Sequence, residues 1–421
     1  MMKSNRHGKG DWDPTDLERQ WSTIDPVVAR ILEKPFLGAP ISEAEGEQLF
    51  HTRGAECEAL VHAADALRKQ AVGDDVSFVI TRNINFTNIC YMGCRFCNFS
   101  KRMEDADAEW LSLDTLADRA EEAWLRGATE VCIQGGLHPK MSGDHYRDIL
   151  IAIKARVPDL HIHAFSPFEI WFGARKNRCS VKDFLVDLKA HGLGSIPGTA
   201  AEILDVEVRQ QLTQDKLSAD EWMAIVRTAH EVGLRSSSTI MYGHVDHPRH
   251  WARHIDMLRR IQMDTGGFTE FVPLGFIHYD SPIYLSGGAR PGPTYEEHVH
   301  MHAVGRLMLH GWIDHIQVSW VKMGPERAQE MLGYGVDDLG GTLMNESISR
   351  ASGAPHGQEI TPAEMVRIIR AAGRTPVRRN TLYDIIERYD DHEPAEYPPL
   401  VDRNERQQDR LGLAMGRREA G

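Results

Sequence analysis

Eight times along this chain a short β-branched or apolar run gives way to turn residues and then to a helical pattern. The runs fall at 76–85 (VSFVITRNIN), 130–133, 161–165, 193–196, 235–241, 268–272, 313–318 and 336–339. Helical patterns follow at 113–126, 146–156, 181–191, 219–232, 250–263, 294–309, 323–333 and 361–372. Strands separated by a whole helix pair in parallel, because only antiparallel neighbours can be joined by a tight turn. Eight such units at roughly 30–40-residue spacing fit a closed (β/α)8 barrel of the TIM type, with chemistry at the C-terminal strand ends. An open doubly wound sheet is the alternative. The reading places a helical extension at 1–75, with an amphipathic stretch at 63–72 stopped by Gly73. The barrel spans 76–375. A C-terminal extension at 376–421 ends in a charged stretch (RNERQQDR) expected to be mobile.

With 421 residues, 42% of them hydrophobic and 26% charged, the chain can bury a large core without staples. A net charge of −13 argues against sequence-independent nucleic-acid binding, which needs Lys and Arg to meet phosphates. No apolar run reaches membrane-spanning length, and the first residues lack a signal-peptide core. The expectation is a soluble, cytoplasmic protein. Six cysteines are too few for a disulfide scaffold. Cys57, Cys132 and Cys179 are scattered and read as packed small hydrophobes. Cys90, Cys94 and Cys97 are not scattered. In a reducing compartment such a cluster points to metal or redox work.

Cys90-Tyr91-Met92-Gly93-Cys94-Arg95-Phe96-Cys97 is C-x3-C-x2-C, just past the first expected strand. Structural zinc takes four closed ligands, and no second C-x2-C or nearby histidine follows. Three thiolates at this spacing can hold three corners of a [4Fe–4S] cluster, leaving one iron open, where fully protein-held clusters use four. The motif in this position resembles the radical S-adenosylmethionine (SAM) superfamily. That resemblance implies that the open iron is chelated by SAM. It also implies reductive cleavage of SAM to methionine and a 5′-deoxyadenosyl radical.

Other strand ends carry candidates. Phe96 matches the superfamily's aromatic position near the adenine. Gly135 and Gly136 follow the second strand and resemble its glycine segment that binds the methionine amino group; Leu137 replaces the acidic third residue. Glu202, beyond the fourth strand, is a candidate for ribose hydroxyls, or else a first-turn helix carboxylate. Tyr242 and His244 close the fifth strand and are candidates for catalytic and substrate contact. Glu169 lies beyond the third strand as a catalytic candidate, and His163 on that strand reads more simply as a satisfied core histidine. Asn345 and Glu346, with Ser347, follow the eighth strand as substrate anchors or as helix caps.

The stretches 83–88 (NINFTN), 135–139 (GGLHP), 165–169 (FSPFE), 195–204 (SIPGTAAEIL) and 338–349 (DLGGTLMNESIS) together are similar to the CofH family, the tyrosine-using half of FO synthase. The similarity runs from about residue 30 to 385. It implies that L-tyrosine is cleaved at Cα–Cβ with release of 2-iminoacetate. The 4-hydroxybenzyl group is then transferred to C5 of 5-amino-6-(D-ribitylamino)uracil, on the way to the coenzyme F-420 precursor. It further implies an electron donor and a separate ring-closing radical SAM enzyme. The alternative is a menaquinone futalosine-pathway radical SAM enzyme. Those usually carry three glycines where this chain has Gly198-Thr199-Ala200-Ala201. A non-catalytic iron–sulfur protein is the remaining alternative.

Overall fold

The computed structural model describes residues 14–213 and 215–397. Among these residues the strands are β1 (Asp75–Val79), β2 (Thr81–Asn85), β3 (Glu130–Gln134), β4 (His161–Ala164), β5 (Ser195–Ile196), β6 (Arg235–Tyr242), β7 (Phe268–Gly275), β8 (Asp338–Gly341), β9 (Thr375–Arg379) and β10 (Ile385–Arg388). β1 and β2 are two halves of one extended run interrupted at Ile80. β2 to β7 lie side by side in chain order, all parallel, and β1 pairs in parallel with β8. The run expected as the seventh strand makes only single bridges, Phe271 to Ile316 and Gln317 to Asp338. The Asp337 carboxylate accepts the Ile316 N–H at 2.7 Å, so the ladder there is part side chain. These bridges still join β7 to β8. The ring therefore closes as the (β/α)8 barrel that the βα alternation predicts.

The helical extension packs on the outside of this ring. Helix Ala55–Val72 lies against helix Tyr295–Leu309 and ends at Gly73, whose φ of 71° suits a residue without a Cβ. Helix Glu43–Leu49 lies so close to the barrel helices that a Cβ on Gly46 would sit 2.6 Å from Met308 Sδ.

Three features depart from the expected pattern. Helices Pro167–Asn177 and Val206–Leu212 begin directly at strand-end loops, capped by Ser166 and Asp205, and are too short to show a long period. The 323–333 pattern splits at Gly324 into Trp320–Met323 and Pro325–Met331. Beyond helix Pro362–Ala371 the chain returns to the sheet. β9 pairs in parallel with β1, from Asp75 opposite Thr375 to Phe78 opposite Arg378, and β10 turns back along β9. The charged end expected to be mobile lies outside the described residues. No described helix is long and apolar enough to cross a membrane.

Strand alternation sets what faces inward. Val131, Ile133, Ile162 and Ile240 point to the helix layer and are fully buried. Their neighbours Cys132, Gln134, His163 and Thr239 point into the barrel. The interior is polar and open rather than packed.

Candidate active site

A cavity of about 440 Å³ runs down the barrel. At its mouth sits the loop 89–101, tied at its base by the bridge between Ile89 and Lys101. Asn98 donates to Ala351 O at 2.6 Å and the Arg95 N–H to Leu212 O at 2.9 Å, so loops of two other units pin it. Cys90, Cys94 and Cys97 all line the cavity, and none is in a disulfide. Burial pushes the Cys94 thiol up and the Cys97 thiol up to about 11. Thiols held this way stay protonated until a metal replaces their protons.

The loop after β3 packs directly under this one. A Cβ on Gly136 would lie 2.3 Å from Ile89 O, and one on Gly135 2.5 Å from the Phe86 ring. The Gly136 N–H donates to Thr87 O at 2.8 Å. Gly136 is thus required by backbone against backbone and Gly135 by backbone against the Phe86 ring, at the point where both also line the cavity.

Glu169 lines the cavity, but its carboxylate is occupied. It accepts from Gly135 N–H at 2.9 Å, Ser166 N–H at 2.8 Å and Ser166 Oγ at 2.7 Å, closing a capping box. Burial pushes it up to about 7 despite these donors. Its visible work is to hold the glycine loop.

Glu202 lines the cavity in a left-handed conformation (φ 45°) and is ion-paired with Lys216. Burial pushes Glu202 up and Lys216 down. Their mutual attraction outweighs both effects, so the carboxyl ends below and the ammonium above its ordinary value. Lys216 Nζ also stands 5.2 Å from the Phe96 ring centre, and Phe96 faces the cavity. Glu346 lines the opposite wall, accepting from Ser349 N–H at 2.9 Å, and the Lys322 Nζ donates to Ser349 Oγ at 2.6 Å. Asn345 is not in the lining: its Oδ1 accepts from Arg82 at 2.9 Å. Leu343, Met344 and Asn345 have φ of 67°, 30° and 78°, a run of left-handed residues that non-glycines rarely adopt.

Tyr242 and His244 stand apart from the cavity. Tyr242 is the last residue of β6, so alternation turns it outward, where its hydroxyl meets His298 Nδ1 at 2.5 Å. The His244 ring bonds Met241 O at 2.8 Å and accepts the Val245 N–H at 2.8 Å, closing its own turn. His163 faces the cavity, held to Ser195 Oγ at 2.7 Å and pushed down to about 4 by burial.

The model of the radical SAM superfamily matches residues 84–258, and that of the CofH/MqnC C-terminal region residues 265–391. The chain is 51% identical over 330 residues to the 5-amino-6-(D-ribitylamino)uracil–L-tyrosine 4-hydroxyphenyl transferase of Methanopyrus kandleri, covering 78% of this chain and 89% of that protein. The chain belongs to the CofH family of the radical SAM superfamily.

It is also 55% identical over 350 residues to the FO synthase of Mycobacterium tuberculosis strain H37Rv, covering 83% of this chain and 41% of that protein. The chain thus spans about two fifths of the length of the FO synthases it matches. The fold is shared with methylornithine synthase (TM-score 0.64, 17% identity, 83% of this chain and 97% of that one). It is shared too with the hydrogenase maturase HydG of Carboxydothermus hydrogenoformans (TM-score 0.66, 16% identity, 88% and 85%). The cofactors of the superfamily are a [4Fe–4S] cluster and SAM. Three half-buried free thiols opening on one cavity fit the former.

Two groups of this CofH-family chain had no signal in the sequence. Lys216 is a single lysine in a loop. Arg379 comes from β9, outside the eight units, yet lines the cavity floor. It donates to Asp338 at 2.5 and 3.0 Å and faces Glu270 at 3.5 Å, while Tyr383 stacks on it at 3.9 Å.

Proposed function

We propose that this chain cleaves L-tyrosine at Cα–Cβ and transfers the 4-hydroxybenzyl group to C5 of 5-amino-6-(D-ribitylamino)uracil. The observation that carries the reading is the 51% identity to a transferase of that name across nine tenths of its length, with the three cysteines opening on one cavity. When bound, the cluster and SAM supply a 5′-deoxyadenosyl radical. The chain's own residues then have two tasks. The first is to exclude water and hold the substrates in contact, which the closed barrel and its pinned mouth loop do. The second is to bind. Gly135 and Gly136 bring backbone to the methionine end of SAM. Phe96 and the Glu202–Lys216 pair face its nucleoside, and Glu346 offers a carboxylate to substrate. Glu169 acts as a positioning residue behind the glycine loop.

A separate radical SAM enzyme closes the deazaflavin ring, and an electron donor reduces the cluster. The six cysteines, none in a disulfide, suit the reducing cytoplasm. The test is made on anaerobically reconstituted, reduced protein given SAM, L-tyrosine and the diaminouracil. Mass spectrometry follows 5′-deoxyadenosine and the benzylated uracil. Both products are expected. Turnover only with futalosine-pathway substrates overturns the reading.

A further inference from the structure

Barrel interiors are ordinarily filled by layers of branched aliphatic side chains. The lower half of this one is polar instead. Burying polar groups is costly unless each finds a partner. Many do: Gln317 donates to Glu270 at 3.3 Å and to Asp338 at 3.1 Å, and Arg379 holds Asp338. Three residues that line the cavity carry a buried side-chain oxygen without a partner: Thr81 Oγ1, Asn83 Oδ1 and Thr381 Oγ1. The three residues come from β2 and from the turn between β9 and β10, far apart in sequence, and border the same space.

The backbone makes room for these groups. A Cβ on Gly341 would lie 2.2 Å from Thr81 Cγ2, and one on Gly340 2.9 Å from the Gln317 amide carbon. The glycine pair of β8 therefore clears space for inward polar side chains. The charge of the floor narrows what can enter. Glu130 and Glu270 line it, with Arg379 the cation among them and already bound to Asp338. An anionic group would meet carboxylates. The three unpartnered atoms are neutral, two hydroxyls and an amide oxygen, and call for a neutral ligand that both donates and accepts hydrogen bonds.

We propose that this floor seats the ribityl chain of the uracil substrate, with Thr81, Asn83, Thr381 and Glu270 bonding its hydroxyls and the uracil ring held above them toward the cysteines. The assignment rests on the transfer reaction proposed above and adds where one substrate lies and what measures its length.

The experiment is anaerobic calorimetry on the full chain carrying its cluster and SAM. The two probes are 5-amino-6-(D-ribitylamino)uracil and 5-amino-6-(methylamino)uracil, which lacks the hydroxyls. At about 3–10-fold per hydrogen bond, the ribityl compound is expected to bind at least about 30-fold more tightly. Thr81→Val keeps the shape and removes a hydroxyl, and should shrink that ratio about 3–10-fold without changing affinity for the methylamino compound. Thr381→Val, in a turn, repeats the test at a site less exposed to folding failure. Equal binding of both uracils, or a ratio unchanged in both variants, overturns the floor assignment while adduct formation keeps the reaction standing. No binding of either uracil and no adduct overturn both together.

Discussion

At the mouth of the cavity three thiols sit within eight residues of one loop; at the floor Glu130, Glu270, Asp338 and Arg379 arrive from four strands spread from residue 130 to residue 379. The mouth loop carries its chemistry locally, and its neighbours only pin it. The floor exists as a site only once the ring closes and β9 docks beside β1. This difference predicts opposite phenotypes: mouth variants should lose function and keep the fold, and variants of the floor's charged groups should lose stability first.

The largest effect is expected at the mouth. Cys94→Ala removes one of the three proposed cluster ligands. SAM cleavage should fall to background and iron content should drop, with little change in thermal midpoint, because the thiol's contact with Thr213 Oγ1 is a weak one at 3.6 Å. Iron analysis, 5′-deoxyadenosine assay and melting on one preparation check this. Full activity with a full iron complement would sink the three-cysteine assignment.

The floor should behave the other way. Arg379→Met leaves Asp338 and Glu270 buried without their cation, a loss on the order of 3–5 kcal/mol. Denaturant unfolding should show it, and a second change, Asp338→Asn, should recover part of it. A variant as stable as the parent would mean that β9 does not anchor the barrel floor.

A smaller effect follows from the carboxylate beside that arginine. Burial pushes Glu270 up to about 7 from its ordinary 4.5. Folded chains therefore hold a proton there that unfolded chains release. The stability this contributes is present below about pH 4.5 and lost as pH rises through about 7. Buried histidines act oppositely: His163, pushed down to about 4, loses its contribution as pH falls below 6.5. Glu270→Gln isolates the first effect. Its melting temperature, relative to the parent, should rise between pH 5 and pH 7; a difference flat in pH would remove Glu270 as the source.

The same contrast explains what could be read in advance. The closed barrel was legible because each βα unit announces itself within about 40 residues, by period and turn. The cysteines were legible because their spacing is the chemistry. Lys216 and Arg379 were not, since a lone cation in a loop or late strand looks like any solvated charge until the fold buries it. The floor's neutral polar groups were hidden for a related reason: Thr81 and Asn83 lie in a run whose β-branched pattern reads as a strand without saying which face turns inward. At Gly135 and Gly136 the glycine pair was legible, and the visible demand on it is packing, Gly135 against the Phe86 ring and Gly136 under the cysteine loop.

Tyr242 tests the comparison at its finest scale. The sequence pattern ends the strand at residue 241 and leaves Tyr242 in the catalytic loop; the structure carries β6 one residue further. One residue of strand reverses the side-chain direction. The ring then lies between Trp251 and His298 in the helix layer, fully buried and outside the cavity. Tyr242→Phe removes one hydrogen bond to His298, worth about 1 kcal/mol, and should leave kcat and KM for tyrosine unchanged. A fall in kcat with no loss of stability would put the hydroxyl back among the reacting groups, and would require β6 to end where the sequence pattern ends it.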